Sequence, residues 1–195
     1  MKQHLVCCGI LRREVGLLLE RNMLPATEVQ YMPAGLHVDL DKLRVALERA
    51  LSSEQDSAGL LLLYGRQCHP EIAGIAEQFG ATLAAPGGCR DCIALLLGKE
   101  TLAELNAEAK TFFITPGWLE NWEQIFKEGL GWDSVDARQN FGYYERIVLL
   151  DTGAGTLDDE KVLAFFDYTG VAIEIRPITL DRLARTLSGG CMPDD

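Results

Sequence analysis

The sequence predicts an α/β protein with a mostly parallel sheet of about six or seven strands and helices on both faces, a Rossmann-like, three-layer arrangement. Short apolar segments alternate along the chain with longer segments of helical spacing, a pattern typical of βαβ units. The segment Gly59–Tyr64, with the sequence GLLLLY, is an uninterrupted apolar run. Such a run indicates a strand that is buried on both faces, as in a parallel sheet.

The predicted strands are short apolar segments, several of which end at glycine or proline. The first ends at Gly9, the second at Pro33 and the fourth at Pro86, where the chain must turn. The strands are predicted at His4–Cys8, Thr27–Met32, Gly59–Tyr64, Ala81–Ala85, Thr111–Thr115, Arg146–Leu150 and Val171–Arg176.

The predicted helices carry apolar residues three or four positions apart, with charged residues between them. The segment Leu40–Leu51 shows this most clearly, and Gly80 and Gly98 are placed to end two other helices. The segment Gly131–Tyr144 has no clear period and is predicted as a loop or lid. The helices are predicted at Ile10–Arg21, Leu40–Leu51, Pro70–Phe79, Asp91–Leu97, Leu102–Ala109, Trp118–Leu130, Leu157–Tyr168 and Leu180–Leu187.

Length and composition indicate one globular domain over residues 1–187, followed by a flexible tail at 188–195 that is rich in Gly, Pro and Asp. The formal charge of −11 argues against nucleic acid as a partner, because phosphate contacts need clustered Lys and Arg. The longest apolar run, residues 58–64, is too short to span a membrane, and no signal peptide is recognisable. We therefore expect a cytoplasmic protein whose cysteines are reduced.

Cysteine and histidine residues follow the predicted strands at the points where the strands end. Five of the six cysteines and two of the three histidines lie there. Ligands of open α/β sheets bind outside the carboxyl ends of the strands. Thiolate and imidazole groups together suit zinc, iron or an iron–sulfur cluster. The favoured metal ligands are Cys8, His37, Cys68 and Cys92.

Cys92 also closes a CxxC motif, Cys89-Arg-Asp-Cys92, at the start of a predicted helix. A helix N-terminus lowers the pKa of a thiol, which would help Cys92 to act as a ligand or a nucleophile. A single CxxC leaves three readings open: a redox pair, half of a metal site, or chance.

Turns after three strands are predicted to contact a small molecule or cofactor. They contribute Gly65 after the third strand, Gly117 and Trp118 after the fifth, and Asp151, Thr152 and Gly153 after the sixth. Asp151 would orient the ligand histidine, while Trp118 and the two glycine turns would shape a pocket. Core packing is the alternative role for Trp118. The Gly87-Gly88 turn is a further candidate for anion binding, although it does not match GxGxxG or Walker A.

These segments, in this order, resemble the uncharacterised prokaryotic domain family numbered 1638 among domains of unknown function. The resemblance covers nearly the whole chain and implies that the family's motif cysteines and histidine correspond to Cys8, His37, Cys68 and Cys92. It also implies a setting beside corrinoid-dependent methyltransferases, in one-carbon or methylamine-type metabolism. The motifs are Cys8–Glu14, Leu36-His37, Leu63–Gly65 with Cys68, Asp91–Ile93 with Leu96–Gly98, Thr115–Trp118 and Asp151–Gly153.

Three functions follow from these residues. The first is a metal-binding protein that acts on a small molecule as an enzyme or accessory protein, in the corrinoid-dependent methyl transfer or one-carbon metabolism that the resemblance implies. The second is a non-catalytic module that holds a corrinoid or delivers metal to a methyltransferase protein, although no DxHxxG-like stretch is present for direct corrinoid ligation. The third is a metal-free enzyme with Cys92 or Cys68 as nucleophile and His69 or His37 as base.

Overall fold

The strands form two parallel sheets in a computed structural model that describes residues 3–25, 27–54, 59–85 and 89–189. The first sheet has the order β2-β1-β3-β4 and the second the order β5-β6-β7. Every pairing is parallel. The strands are β1 Gln3–Cys8, β2 Thr27–Met32, β3 Leu60–Leu63, β4 Thr82–Leu83, β5 Thr111–Ile114, β6 Arg146–Asp151 and β7 Ile173–Pro177.

The prediction of an α/β protein with parallel strands is confirmed, but the prediction of one sheet with six or seven strands is wrong. Within the described residues β4 pairs only with β3, and β5 pairs only with β6. The strand β4 has just two residues, so it offers little backbone for a further partner. Two helices then separate it from β5. Alternating segments predict that strands are parallel, but they do not predict which strands become neighbours.

The helices follow the strands as expected, with small shifts at their ends. Two 3-10 segments, Gly9–Leu11 and Ala34–Val38, come directly after β1 and β2. A π-helical segment, Glu123–Gly129, continues the sixth helix. The helices are α1 Arg12–Glu20, α2 Leu40–Ser53, α3 Ile72–Gln78, α4 Cys92–Leu97, α5 Lys99–Glu108, α6 Pro116–Trp122, α7 Ser134–Phe141, α8 Asp159–Thr169 and α9 Asp181–Leu187.

The segment predicted as a loop or lid, Gly131–Tyr144, contains the helix α7 instead. A capping box starts it: the Asp133 carboxylate accepts the backbone N–H groups of Val135 and Asp136, and Asp136 accepts that of Asp133. Only Ala137 and Phe141 of this helix are buried. Two inward positions are too few to give a recognisable period in the sequence.

The carboxyl ends of the two sheets face each other. Backbone of α6, which follows β5, packs on the segment after β1, because a Cβ at Gly117 would lie 1.8 Å from the Ile10 carbonyl oxygen. The Thr152 hydroxyl, after β6, donates to the Glu14 carboxylate at 3.1 Å. Arg13 donates to the carbonyl oxygens of Ala154 and Thr156. One buried apolar cluster includes residues from both sheets.

Two sequence predictions fall on residues outside this description. They are the candidate anion-binding turn Gly87-Gly88 and most of the flexible tail, from residue 190 onward. Over the described ranges, no helix combines the length and the apolar character that a membrane crossing requires.

Candidate metal and ligand site

Three glycines bring the loops at the facing sheet ends into backbone contact. A Cβ at Gly9 would lie 2.3 Å from the Met32 carbonyl oxygen, and one at Gly65 would lie 2.3 Å from Cα of Asp91. Gly117 makes the third such contact, with Ile10. Real Cβ atoms do not approach backbone this closely, so only glycine allows these loops to meet. The predicted site residues Gly65 and Gly117 therefore act by permitting close packing of the backbone.

The thiols of Cys8, Cys68 and Cys92 converge where these loops meet. Burial, with a smaller contribution from the neighbouring Cys68, raises the pKa of Cys8 to about 12. Burial raises the pKa of Cys92 well above its ordinary value, with added contributions from Cys8 and Cys68. Burial likewise raises the pKa of Cys68, to about 11. Three of the four predicted ligands thus lie within electrostatic reach of one another, although they come from three separate segments of the chain.

Two side chains with a polar hydrogen lie beside this group of thiols. Tyr64 lies near Cys8 and Trp118 lies near Cys92, and each of these side chains partly offsets the rise in the pKa of its neighbouring thiol. An indole N–H can only donate, so the Trp118 contact favours a negatively charged sulfur. Burial raises the pKa of Tyr64, and the nearby thiols raise it further, so its hydroxyl keeps its proton and remains a donor. Trp118, predicted as a pocket residue, therefore contacts the thiol group directly.

The fourth predicted ligand, His37, lies on the 3-10 segment Ala34–Val38, and its imidazole is outside the described part of the chain. The segment follows β2, whose last residue, Met32, pairs with Cys8 of β1. It also packs against the π-helical segment, where a Cβ at Gly129 would lie 2.6 Å from a methyl group of Val38. The backbone that carries His37 is therefore fixed at the same sheet edge as Cys8.

The thiols are free and are not arranged as a preformed ligand set. Over residues 3–25, 27–54, 59–85 and 89–189, no three His, Cys, Asp or Glu side chains are placed so that they could hold one metal ion. The cysteines at positions 7, 8, 68, 89 and 92 form no disulfide. The donor types nevertheless suit a soft metal ion, because sulfur is the ligand that such ions prefer.

A cavity of about 300 Å³ lies beside Cys92, and we refer to it as the Cys92 cavity. Its walls include the aromatic rings of Phe112, Trp118 and Tyr144, together with the side chains of Asp91 and Cys92. This volume is at the lower end of the range for small-molecule sites. The cavity and the thiol group share Cys92 and Trp118, so a molecule bound in the cavity would lie next to the thiols.

The predicted residues after β6 lie at the junction of the sheets and do not line the Cys92 cavity. The Asp151 carboxylate accepts the backbone N–H of Gly153 at 3.0 Å, and Gly153 has a φ of +67°. These two residues therefore form a tight turn in a conformation that favours glycine. Thr152 is bonded to Glu14.

Glu14 is a buried residue that the sequence analysis did not select. Its side chain has no exposed surface, one carboxylate oxygen accepts from Thr152, and the other has no partner within the described residues. Burial raises its pKa to about 7. A signal was present in the sequence, because Glu14 falls on the apolar face of α1 with Val15 and Leu18.

The remaining candidate side chains have local partners. The Nδ1 atom of the buried His69 accepts the backbone N–H of Glu71 at 3.1 Å. The Cys89 thiol donates to the Ala94 carbonyl oxygen at 3.9 Å, and the Cys7 thiol donates to that of Cys8 at 3.3 Å. These contacts place His69 and Cys89 in local turn structure.

Fold and site together define an α/β protein with a buried, thiol-rich site between the carboxyl ends of two parallel sheets. The chain belongs to the family described as "Protein of unknown function (DUF1638)", whose model matches residues 31–187. The resemblance inferred from the motifs is thereby confirmed. His37, Cys68 and Cys92 lie inside the matched range, whereas Cys8 and Glu14 precede it. No curated protein and no solved structure matches the chain.

Proposed function

We propose that Cys8, Cys68 and Cys92, together with His37, bind a thiophilic metal ion. The observation that carries this proposal is the proximity of the Cys8, Cys68 and Cys92 thiols, of which the first and last are buried and Cys68 is half-buried, from three separate segments. Zinc is favoured over an iron–sulfur cluster, because three cysteines and one histidine are a known zinc ligand set, whereas clusters are usually held by four cysteines.

Metal binding at these thiols requires them to lose their protons. Zinc displaces the proton of each thiol that coordinates it, and it acts as a Lewis acid on any further ligand. Because burial raises the pKa of Cys8, Cys68 and Cys92, their protons are held tightly in the free protein. We therefore expect zinc affinity to rise steeply with pH and binding to release protons. The donors on Tyr64 and Trp118 would stabilise the resulting thiolates.

The Cys92 cavity supports a role toward a small molecule at this metal site. Corrinoid-dependent methyl transfer is the setting that the family resemblance implies, and we propose that the protein acts there as an enzyme or accessory protein. A cavity of about 300 Å³ is too small for a corrinoid. A methyltransferase protein would therefore have to supply any corrinoid that takes part.

The raised pKa values of the thiols, which burial causes, weigh against a cysteine nucleophile without metal. A reactive cysteine needs an environment that lowers its pKa, such as a nearby cation or an exposed helix N-terminus. Cys92 does begin a helix, but α4 has only six residues and the thiol is buried. Glu71 engages the Nδ1 atom of the buried His69, and within the described residues no hydrogen bond joins this imidazole to Cys68 or Cys92.

Zinc titration of anaerobically purified protein tests the proposal. We expect wild-type protein to bind one zinc ion per chain, with proton release, and to lose that stoichiometry in Cys68→Ser and Cys92→Ser. Cys89→Ser is the matched control, since Cys89 is also buried and belongs to the same CxxC, but bonds Ala94. Wild-type protein that binds no zinc, or equal zinc content in all variants, would show that the thiols do not form a metal site.

A further inference from the structure

We propose that two copies of this chain form a symmetric dimer through the exposed side of α2. This inference goes beyond the metal site and does not depend on it. The observation that carries it is a self-complementary stripe on α2, formed by Asp41, Val45 and Arg49. An acidic, an apolar and a basic side chain follow one another in this stripe at intervals of four residues.

The stripe lies on the side of α2 that faces away from the protein core. Leu43, Leu47 and Leu51 are buried, whereas the three stripe residues are exposed, and Val45 is 65% exposed. Residues four positions apart are neighbours along one face of a helix. The charged residues of the stripe therefore flank an exposed apolar side chain, one on either side of it.

The stripe borders a groove of about 710 Å³ between α2 and β2. The walls of this groove include Val45, Ala46 and Ala50 of α2, together with Gln30 and Met32 of β2. Within the described residues β2 pairs only with β1, so its other edge has no neighbouring strand. A second molecule seated on the groove would remove apolar surface from water and shield this sheet edge.

The charges of the stripe favour a second copy as the molecule that binds there. If two α2 helices cross antiparallel about a two-fold axis at Val45, Asp41 of each copy faces Arg49 of the other, since both lie four residues from the axis. A parallel crossing would instead bring like charges together. Rows of residues four apart are also the ridges that most often interlock when helices pack.

The two charged residues of the stripe are available for such contacts. Within the described residues neither Asp41 nor Arg49 forms an ion pair, whereas the neighbouring Lys42 is paired with Asp39 at 2.8 Å. Both stripe residues are exposed, so pairing with another copy would not require them to leave an existing partner.

Analytical ultracentrifugation of the metal-free protein measures the dissociation constant of the dimer without involving the metal site. At about 0.15 M salt, the repulsion between two copies is screened beyond about 8 Å. We expect the wild-type protein to form dimers at micromolar protein concentrations. A protein that stays monomeric up to millimolar concentrations would overturn the proposal.

Charge reversal tests the pairing of the stripe residues. Asp41→Arg and Arg49→Asp each place like charges opposite one another twice in the dimer, so each should raise the dissociation constant at least about tenfold. The double variant restores opposite charges in exchanged order and should return to within about threefold of wild type. Glu104→Arg is the control for the change in net charge, since Glu104 is an exposed residue of α5.

Val45→Asp tests the centre of the dimer, because it brings two carboxylates together at the two-fold axis. It should weaken dimerisation at least about tenfold. Val135→Asp is the matched control, since Val135 is 60% exposed on a different helix, α7, and should dimerise like wild type. Circular dichroism would check that every variant remains folded. Wild-type affinity in any of the three single stripe variants, or a double variant as weak as the single ones, would overturn the proposal.

Discussion

At the scale of single residues, Glu14 is buried with one carboxylate oxygen unpartnered within the described chain, beside the junction of the two sheets. Burial raises its pKa from 4.5 to about 7. At pH values between these two pKa values, the Glu14 carboxyl is deprotonated in the unfolded chain and protonated in the folded protein. The free energy of unfolding should therefore fall as the pH rises through this window, and then level off above the folded pKa. The full effect is of the order of 3 kcal/mol.

The substitution Glu14→Gln tests this prediction, because it keeps an oxygen for the Thr152 hydroxyl and removes the titration. Urea unfolding at about pH 5 and about pH 8 should show a decline in wild-type stability that is absent in the variant. Glu104→Gln is the control, since Glu104 is an exposed residue of α5. A wild-type decline that persists in Glu14→Gln would mean that another group causes it.

At this scale the sequence indicated that these thiols follow strands, but it did not indicate which side chains lie beside them. The rule that ligands gather at strand ends was sufficient to select Cys8, Cys68 and Cys92. The places of Tyr64 and Trp118 beside the thiols, and the unpartnered oxygen of Glu14 within the described residues, depend on side-chain directions that a sequence does not contain. Glu14 was overlooked because a charged residue in a helix is usually exposed.

At the scale of elements, glycines decide how closely the loops and helices approach. Gly117→Ala should destabilise the protein by about 1–3 kcal/mol, because the added methyl group would collide with the Ile10 carbonyl oxygen. Gly16→Ala is the matched control, since Gly16 lies within α1 and a Cβ there would meet nothing within 4 Å. This control should stabilise the protein by about 0.5–1 kcal/mol.

Chemical denaturation of both glycine variants measures these two changes. Opposite signs are expected for the two substitutions, although both replace a glycine in a helix with alanine. If Gly117→Ala left the free energy of unfolding unchanged, the backbone segments at Gly117 and Ile10 could separate without loss of stability. Their contact would then not fix the position of α6.

Most elements were predicted within a few residues, and the exceptions have physical causes. The helix α7 has too few buried positions to show a period. The predicted helix Trp118–Leu130 is helical throughout 116–129, but it changes from α to π geometry at Glu123. Such a change alters hydrogen bonding along the backbone, and the spacing of apolar residues does not reveal it.

At the scale of the whole molecule, the two sheets should unfold together. Their carboxyl ends share the buried Glu14–Thr152 hydrogen bond, the contact between Gly117 and Ile10, and one apolar cluster. All three tryptophans lie in the half with β5–β7, so their fluorescence reports on that sheet. Far-ultraviolet circular dichroism reports on both sheets.

We expect the urea midpoints from fluorescence and circular dichroism to coincide, as they do when a protein unfolds in one step. Two separated midpoints would instead show that each sheet is an independent folding unit.

The sequence could not predict the division of the strands into two sheets, because strand order is determined by contacts between distant segments. The short β4 and the helices after it give no sequence signal that a new sheet begins at β5.

The residues of the site come from both halves of the chain, so they are synthesised at different times. Cys8, Cys68 and Cys92 all precede β5, whereas Trp118, which lies beside Cys92, follows it. Domains begin to fold while the chain is still being synthesised. The thiols of the nascent chain therefore leave the ribosome uncovered, and metal or cellular reductant can reach them before the second half encloses them.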